Sequence, residues 1–156
     1  MSDDLVAAFK RSADEALAQA KAGILSDVGR AKELAANAAT SSCRAKGYVD
    51  QLQQLRTDVS DADGPLGLLF LVSNYLRVAD EAAASCDQAA KLAAQAAVMA
   101  EMRQRFPKII NAFTLDDAKR SDGNAFDYVS RARIALEQAQ DAVAAREVKV
   151  GEDGNR

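Results

Sequence analysis

Two cysteines, Cys43 and Cys86, are the most chemically distinctive side chains of this 156-residue chain. They lie equally far on either side of Gly64-Pro65. A tight turn over 61–67 between two long helices therefore brings them to one level, where residue numbers add to about 129. A disulfide needs Cα atoms within about 7 Å, and whether it persists follows the redox compartment. At about 100° per residue, Cys86 falls on the apolar stripe of its helix and Cys43 falls opposite the stripe of its own. The pair shares a level and not a face. Cys43–Cys86 is a candidate disulfide only with rotation of a helix. Otherwise the two are separate thiols, Cys43 being buried or reactive according to what covers it.

The chain has no histidine. Ser-His and Cys-His nucleophile pairs, histidine phosphotransfer, an axial haem histidine and the Glu-x-x-His motif of di-iron bundles are all excluded. The eight glycines are scattered and form no phosphate-cradling loop. Carboxylates stand side by side at Asp3-Asp4, Asp14-Glu15, Asp80-Glu81 and Asp116-Asp117. Neighbours on a helix diverge by about 100°, so such pairs do not converge on one ion and read as solvated faces or helix-start charges. Arg103, Arg105 and Lys108 gather where a long helix should end, where positive charge complements the helix dipole; an anion or acidic-partner patch is the alternative. No catalytic residue, metal site or cofactor is called for, and the chain reads as a non-enzyme.

The net charge is −3 with both signs interleaved. No basic stripe exists to neutralise a row of phosphates, so nucleic acid is not an expected partner. The opening MSDDLVAAFKRS lacks the charged and apolar regions of a secretory signal. The longest apolar run, over 66–72, falls far short of the ~20 residues that span a bilayer. These features disfavour a membrane and favour the cytoplasm; a formed disulfide would instead argue for secretion or the cell surface.

The elements that position these groups follow from alanine, present 34 times against two prolines and no tryptophan. Alanine has the highest helix propensity and the smallest side chain that excludes water, so the expected fold is all-α, an elongated antiparallel helical bundle with close-packed helices. Length predicts a single domain over 1–150 with a flexible tail at 151–156. Over 66–105, Leu69, Val72, Leu76, Ala79, Ala83, Cys86, Ala90, Ala93, Ala97 and Ala100 alternate spacings of three and four, a heptad seam that tapers towards its alanine end. A matching stripe over 27–60 runs through Leu34, Ala38, Ser41, Ala45, Tyr48, Leu52, Leu55 and Val59. The two segments form a central long helical hairpin.

The N-terminal stretch has its own stripe at Val6, Phe9, Ala13, Ala16 and Ala20. It either continues into the hairpin helix or breaks at Gly23, a good C′ residue followed by Ser26 and Asp27 as N-caps. The alanine-rich back face over 31–45 favours a helix over 3–22 folded back to cover it. After Pro107 the pattern predicts a broken C-terminal helix: one piece at 107–120, with Thr114 and Asp117 as a capping pair, a loop at Ser121-Asp122-Gly123-Asn124, and a last helix over 125–147. That last helix directs Phe126, Val129, Ala132, Leu136, Ala139 and Val143 inward.

Leu66, Leu68, Leu69, Phe70 and Leu71 cover a whole helix circumference, more than one neighbouring helix can bury. They are either enclosed by the returning last helix with Val148 and Val150, or form a partner-binding tip. The expected function is that of a structural or adaptor protein acting through helix–helix contact with a protein partner or as a homo-oligomer. An extracellular bundle stapled by Cys43–Cys86 and an exchangeable amphipathic lipid carrier are the alternatives.

Overall fold

Uninterrupted alanine and straight-chain residues make helices of unusual length. The computed structural model describes residues 2–62, 65–106 and 115–154. It is an all-α bundle of α1 (Ser2–Asp61), α2 (Leu66–Arg105) and α3 (Leu115–Gly154), all three packed against one another. The 60 residues of α1 extend about 90 Å, and the 40 of α2 and of α3 about 60 Å. The two shorter helices therefore cover only part of the long one.

The hairpin forms where the sequence places it. Pro65, φ −57°, has no N–H for a helix to miss and stands as the N-cap of α2, its carbonyl accepting from the N–H of Leu68 and Leu69. The helix stops at Arg105 because Phe106 precedes a proline, a position that disfavours helical backbone, and Phe106 takes φ −131° while donating its N–H to Met102 O at 2.8 Å. Arg103 and Arg105 occupy the last turn of α2, where the helix dipole favours them. Gly64 of the turn, Lys108 of the basic cluster, and the first part of the expected piece at 107–120, through the Thr114 cap, lie outside the described residues, as do the side chains of Val148 and Val150.

Two expectations about breaks are corrected. The 3–22 helix does not fold back: α1 is continuous through Gly23. A single helical glycine costs about 1 kcal/mol relative to alanine. Ending a helix there would strand four N–H and four C=O groups at the new termini, and no proline or second glycine is at hand to turn the chain. The alanine-rich back face is accordingly bare, with Ala36, Ala39 and Cys43 exposed. Nor does a loop form at 121–124, since α3 is continuous from Leu115 to Gly154. Packing outweighs the loop propensity of Ser121-Asp122-Gly123-Asn124, because Ala118, Ser121 and Ala125, spaced by three and four, are all buried. Ala125 continues the row of Val129, Ala132 and Leu136 and faces the core, whereas Phe126, expected inside, lies about 100° round from Ala125 and is exposed. Val129, Ala132, Leu136 and Ala139 are buried as the pattern predicts. Helical backbone persists past 147 to Gly154, and 155–156 lie outside the described residues.

The core is thin. Leu52, Val72 and Cys86 are its largest fully buried side chains, and most of the rest is alanine. The main cluster joins Ala38, Ala45, Val49 and Leu52 of α1 to Leu76, Ala79, Ala83 and Cys86 of α2 and to Val129, Ala132 and Leu136 of α3. A second cluster, Val28, Ala31 and Leu34 with Ala96, Ala97, Ala100 and Ala118, closes the far end. Besides the expected seam, α2 buries a second row, Ala82, Ala89 and Ala96, because it is wedged between two neighbours.

Candidate interaction surface

Cys43 and Cys86 are separate thiols. Cys43 is exposed on the back of α1, whereas Cys86 is buried and donates its Sγ–H to the Ala125 carbonyl of α3 at 3.3 Å. The candidate Cys43–Cys86 disulfide is thus absent, since one sulfur points to solvent and the other to the third helix. Burial pushes the Cys86 thiol above its usual range, Asp87 adds to the shift, and Lys46 opposes it. A desolvated, protonated thiol is a poor nucleophile.

Beside it Asp87 organises the α1/α2 interface. One of its oxygens accepts from the Ser42 hydroxyl at 3.2 Å and from Lys46 Nζ at 3.3 Å, and the other pairs with Lys91 Nζ at 3.1 Å. Hydrogen bonds from Lys91 and then Lys46 hold the Asp87 carboxyl below the ordinary aspartate value. Further along the same interface Lys32 pairs with Glu101 and holds that carboxyl low as well. These bonds fix how α1 and α2 slide against each other.

The four adjacent carboxylate pairs are exposed, and among the described residues no three His, Cys, Asp or Glu side chains converge on a metal position. An open groove between α1 and α3, bordered by Thr40, Arg44, Arg120, Asp122 and Asp127, mixes both signs of charge without a buried polar focus. Asp122 there sits partly desolvated, which raises its carboxyl, while Arg30 partly offsets the shift.

The exposed apolar surface is the prominent feature. At the hairpin tip Leu66 and Phe70 are largely exposed, Leu71 less so, and Leu68 and Leu69 are half-buried. Ala142, Ala145 and Arg146 of α3 border a shallow pocket there with Pro65, Gly67, Leu68 and Leu71. The returning helix therefore covers one side of the tip and leaves Leu66 and Phe70 bare. The larger surface is the start of α1. Every described side chain from Asp3 to Ser26 is exposed, including Leu5, Val6, Phe9, Leu17 and Leu25, with Phe9 at 76%. This arm projects roughly 37 Å beyond the bundle. At about 100° per residue, Val6, Phe9, Ala13, Ala16 and Ala20 fall within about 40° of the direction in which α1 buries Val28, Ala31, Ala38, Ala45 and Leu52. The core-facing stripe runs on, uncovered, past the end of α2.

Comparison with family models, with curated proteins and with solved structures returned no match for this chain. Among the described residues no helix is long and apolar enough to cross a membrane. The arm stripe is visible in the sequence as Val6, Phe9, Ala13, Ala16 and Ala20; its shared azimuth with the hairpin stripe is the signal that it belongs to one straight helix.

Proposed function

We propose that the protein is a non-enzymatic structural or adaptor element that works by helix–helix contact, with the arm of α1 as the contacting element. The observation behind this reading is the uncovered continuation of the core stripe over Val6, Phe9, Ala13, Ala16 and Ala20, on a helix whose remainder uses the same face to bury its seam. Helices in proteins owe most of their stability to packing of an apolar face, and burying a side chain such as Val6 or Phe9 contributes about 1.5–3 kcal/mol. A covering helix therefore stabilises the arm and is selected by it. The absence of histidine from the sequence is in keeping with a role without catalysis.

The test compares the tagged full chain with a Val6→Gln/Phe9→Gln variant, glutamine preserving helix propensity. The wild type is expected either to exceed 16.6 kDa in native mass or to retain another protein, and the variant to lose both properties. A monomeric wild type whose retained proteins match those of the variant refutes the reading.

A further inference from the structure

We infer that the arm is covered by the arm of a second copy, laid antiparallel, so that two bundles are joined end to end through a shared helical pair. The inference rests on the helix–helix reading above and names its partner. Three observations carry it.

The first is continuity: the exposed stripe is the same face of α1 that is buried against α2 and α3 from Val28 onward, so an occupying helix extends an existing seam. The second is length. The Lys32–Glu101 pair sets the end of α2, at Arg105, level with about residue 28 of α1, and the exposed side chains run back from there to Asp3. Antiparallel arms paired over 3–22 and centred near Ser12 and Ala13 lie on that face clear of the end of α2. Val6 then lies near Ala20 of the partner, Phe9 near Ala16, and Ala13 next to its own counterpart, so that each large residue meets a small one.

The third is charge. About 100° round from the stripe, on one flank, stand Asp3, Lys10, Asp14 and Lys21 in alternating sign. In an antiparallel pair related by a two-fold axis, like flanks meet. The register that matches the apolar residues also places Lys10 against the partner's Asp14 and Asp3 against the partner's Lys21, each twice by symmetry. The opposite flank carries Ser12 and Gln19, which are uncharged. A parallel pair sets the charged flank against this neutral one and gains no attraction. Alanine seams fit many helices; the flanking charges select this partner and this direction.

The experiment uses the full chain. Sedimentation at roughly 100 μM should give twice 16.6 kDa. Lys10→Asp and Asp14→Lys each turn two attractive contacts into repulsive ones and should weaken association roughly tenfold. An equimolar mixture of the two variants should recover it. In the mixed pair both positions are acidic on the Lys10→Asp chain and both are basic on the Asp14→Lys chain, so each cross-pair contact is attractive again, although each chain still lacks its own i,i+4 pairing. In a Cys43→Ser background, Val6→Cys chains should form disulfides when mixed with Ala20→Cys chains and not among themselves. A monomeric wild type, single variants that associate as tightly as the wild type, a mixture without recovery, or self-linking of Val6→Cys overturns the proposal. A monomer that still retains another protein through Val6 and Phe9 overturns the self-pairing and leaves the adaptor reading standing.

Discussion

Glycine to alanine substitution discriminates a continuous rod from a jointed one, because the two arrangements give the change opposite signs. Gly23, Gly29 and Gly47 lie inside α1 and Gly123 inside α3, and a methyl group added at any of the four meets nothing within 4 Å. With no steric cost, the effect is that of backbone entropy: alanine is favoured over glycine in a helix interior by about 0.8–1 kcal/mol. At Gly47 and Gly123, within the bundle, that gain enters the global stability and raises Tm by roughly 2–4 °C for a chain of this size. At Gly23 the bundle does not sense it. The gain appears as added ellipticity at 222 nm and as a roughly fivefold slowing of amide exchange around Gly23, the factor that about 1 kcal/mol gives through RT.

Were Gly23 the C′ residue of a helix folded back on the bundle, it would need a left-handed backbone, and alanine there would cost about 1 kcal/mol or more. The same holds for Gly123 in a loop with positive φ. Circular dichroism, thermal melts and exchange mass spectrometry on the four variants read the sign directly. A loss of helicity or faster exchange in Gly23→Ala refutes the continuous arm, and with it the exposed stripe; a lowered Tm in Gly123→Ala refutes the unbroken α3.

Two other outcomes follow from the interface groups. Because the Asp87 carboxyl is held low by Lys91 and Lys46, its contribution is present above the ordinary aspartate value and is lost as pH falls below it, so Asp87→Asn should flatten the loss of Tm between about pH 5 and 3; Asp122, raised by desolvation, is relieved on acidification, so Asp122→Asn should steepen it. Equal slopes for all three proteins would contradict these assignments. In the native protein one thiol, Cys43, should react promptly with an alkylating reagent and Cys86 only on unfolding, a result contradicted by two fast thiols or by none.

Most of the hairpin is legible because α2 keeps a faultless three-four spacing, and its buried Val72, Leu76, Ala79, Ala83, Cys86, Ala93, Ala97 and Ala100 are those the spacing selects. The opposite azimuths of Cys43 and Cys86 are legible for the same reason. The departures from the sequence pattern have a common cause. Gly23 and Gly123 carry the local chemistry of a helix end, but ending a helix leaves eight backbone groups without intrahelical partners, more than a single cap such as Ser26 or Asp27 can satisfy. Phe126 takes the place of Ala125 in the expected core because it is the larger apolar residue, although it stands about 100° round from Ala125, which continues the row of Val129, Ala132, Leu136 and Ala139. The second buried row of α2 is hidden by composition: alanine serves equally well inside and outside, so Ala82, Ala89 and Ala96 differ from the exposed Ala84 and Ala94 only in what lies opposite.

That ambiguity bears on how such a molecule specifies its contacts. A seam of alanines lets backbones approach closely, but it is nearly invariant to sliding one helix past another, since each small knob fits many positions. Register must then come from elsewhere, and within the bundle it comes from the flanks: Ser42 and Lys46 converge on Asp87, and Lys32 reaches Glu101, at two levels of the α1/α2 pair. Individually such exposed pairs contribute little to stability. Their effect is on choice among otherwise similar alignments, because a slide of one turn replaces an attraction with a vacancy or a repulsion. The arm repeats the arrangement, with two larger residues, Val6 and Phe9, on an alanine stripe, and Asp3, Lys10, Asp14 and Lys21 along one flank. If flanking charge sets alignment where the partner helix is covalently attached, the same device sets it where the partner is a separate chain. Charge exchange at Lys10 and Asp14 should therefore change with whom and in which direction the arm pairs, while leaving the fold of the bundle intact.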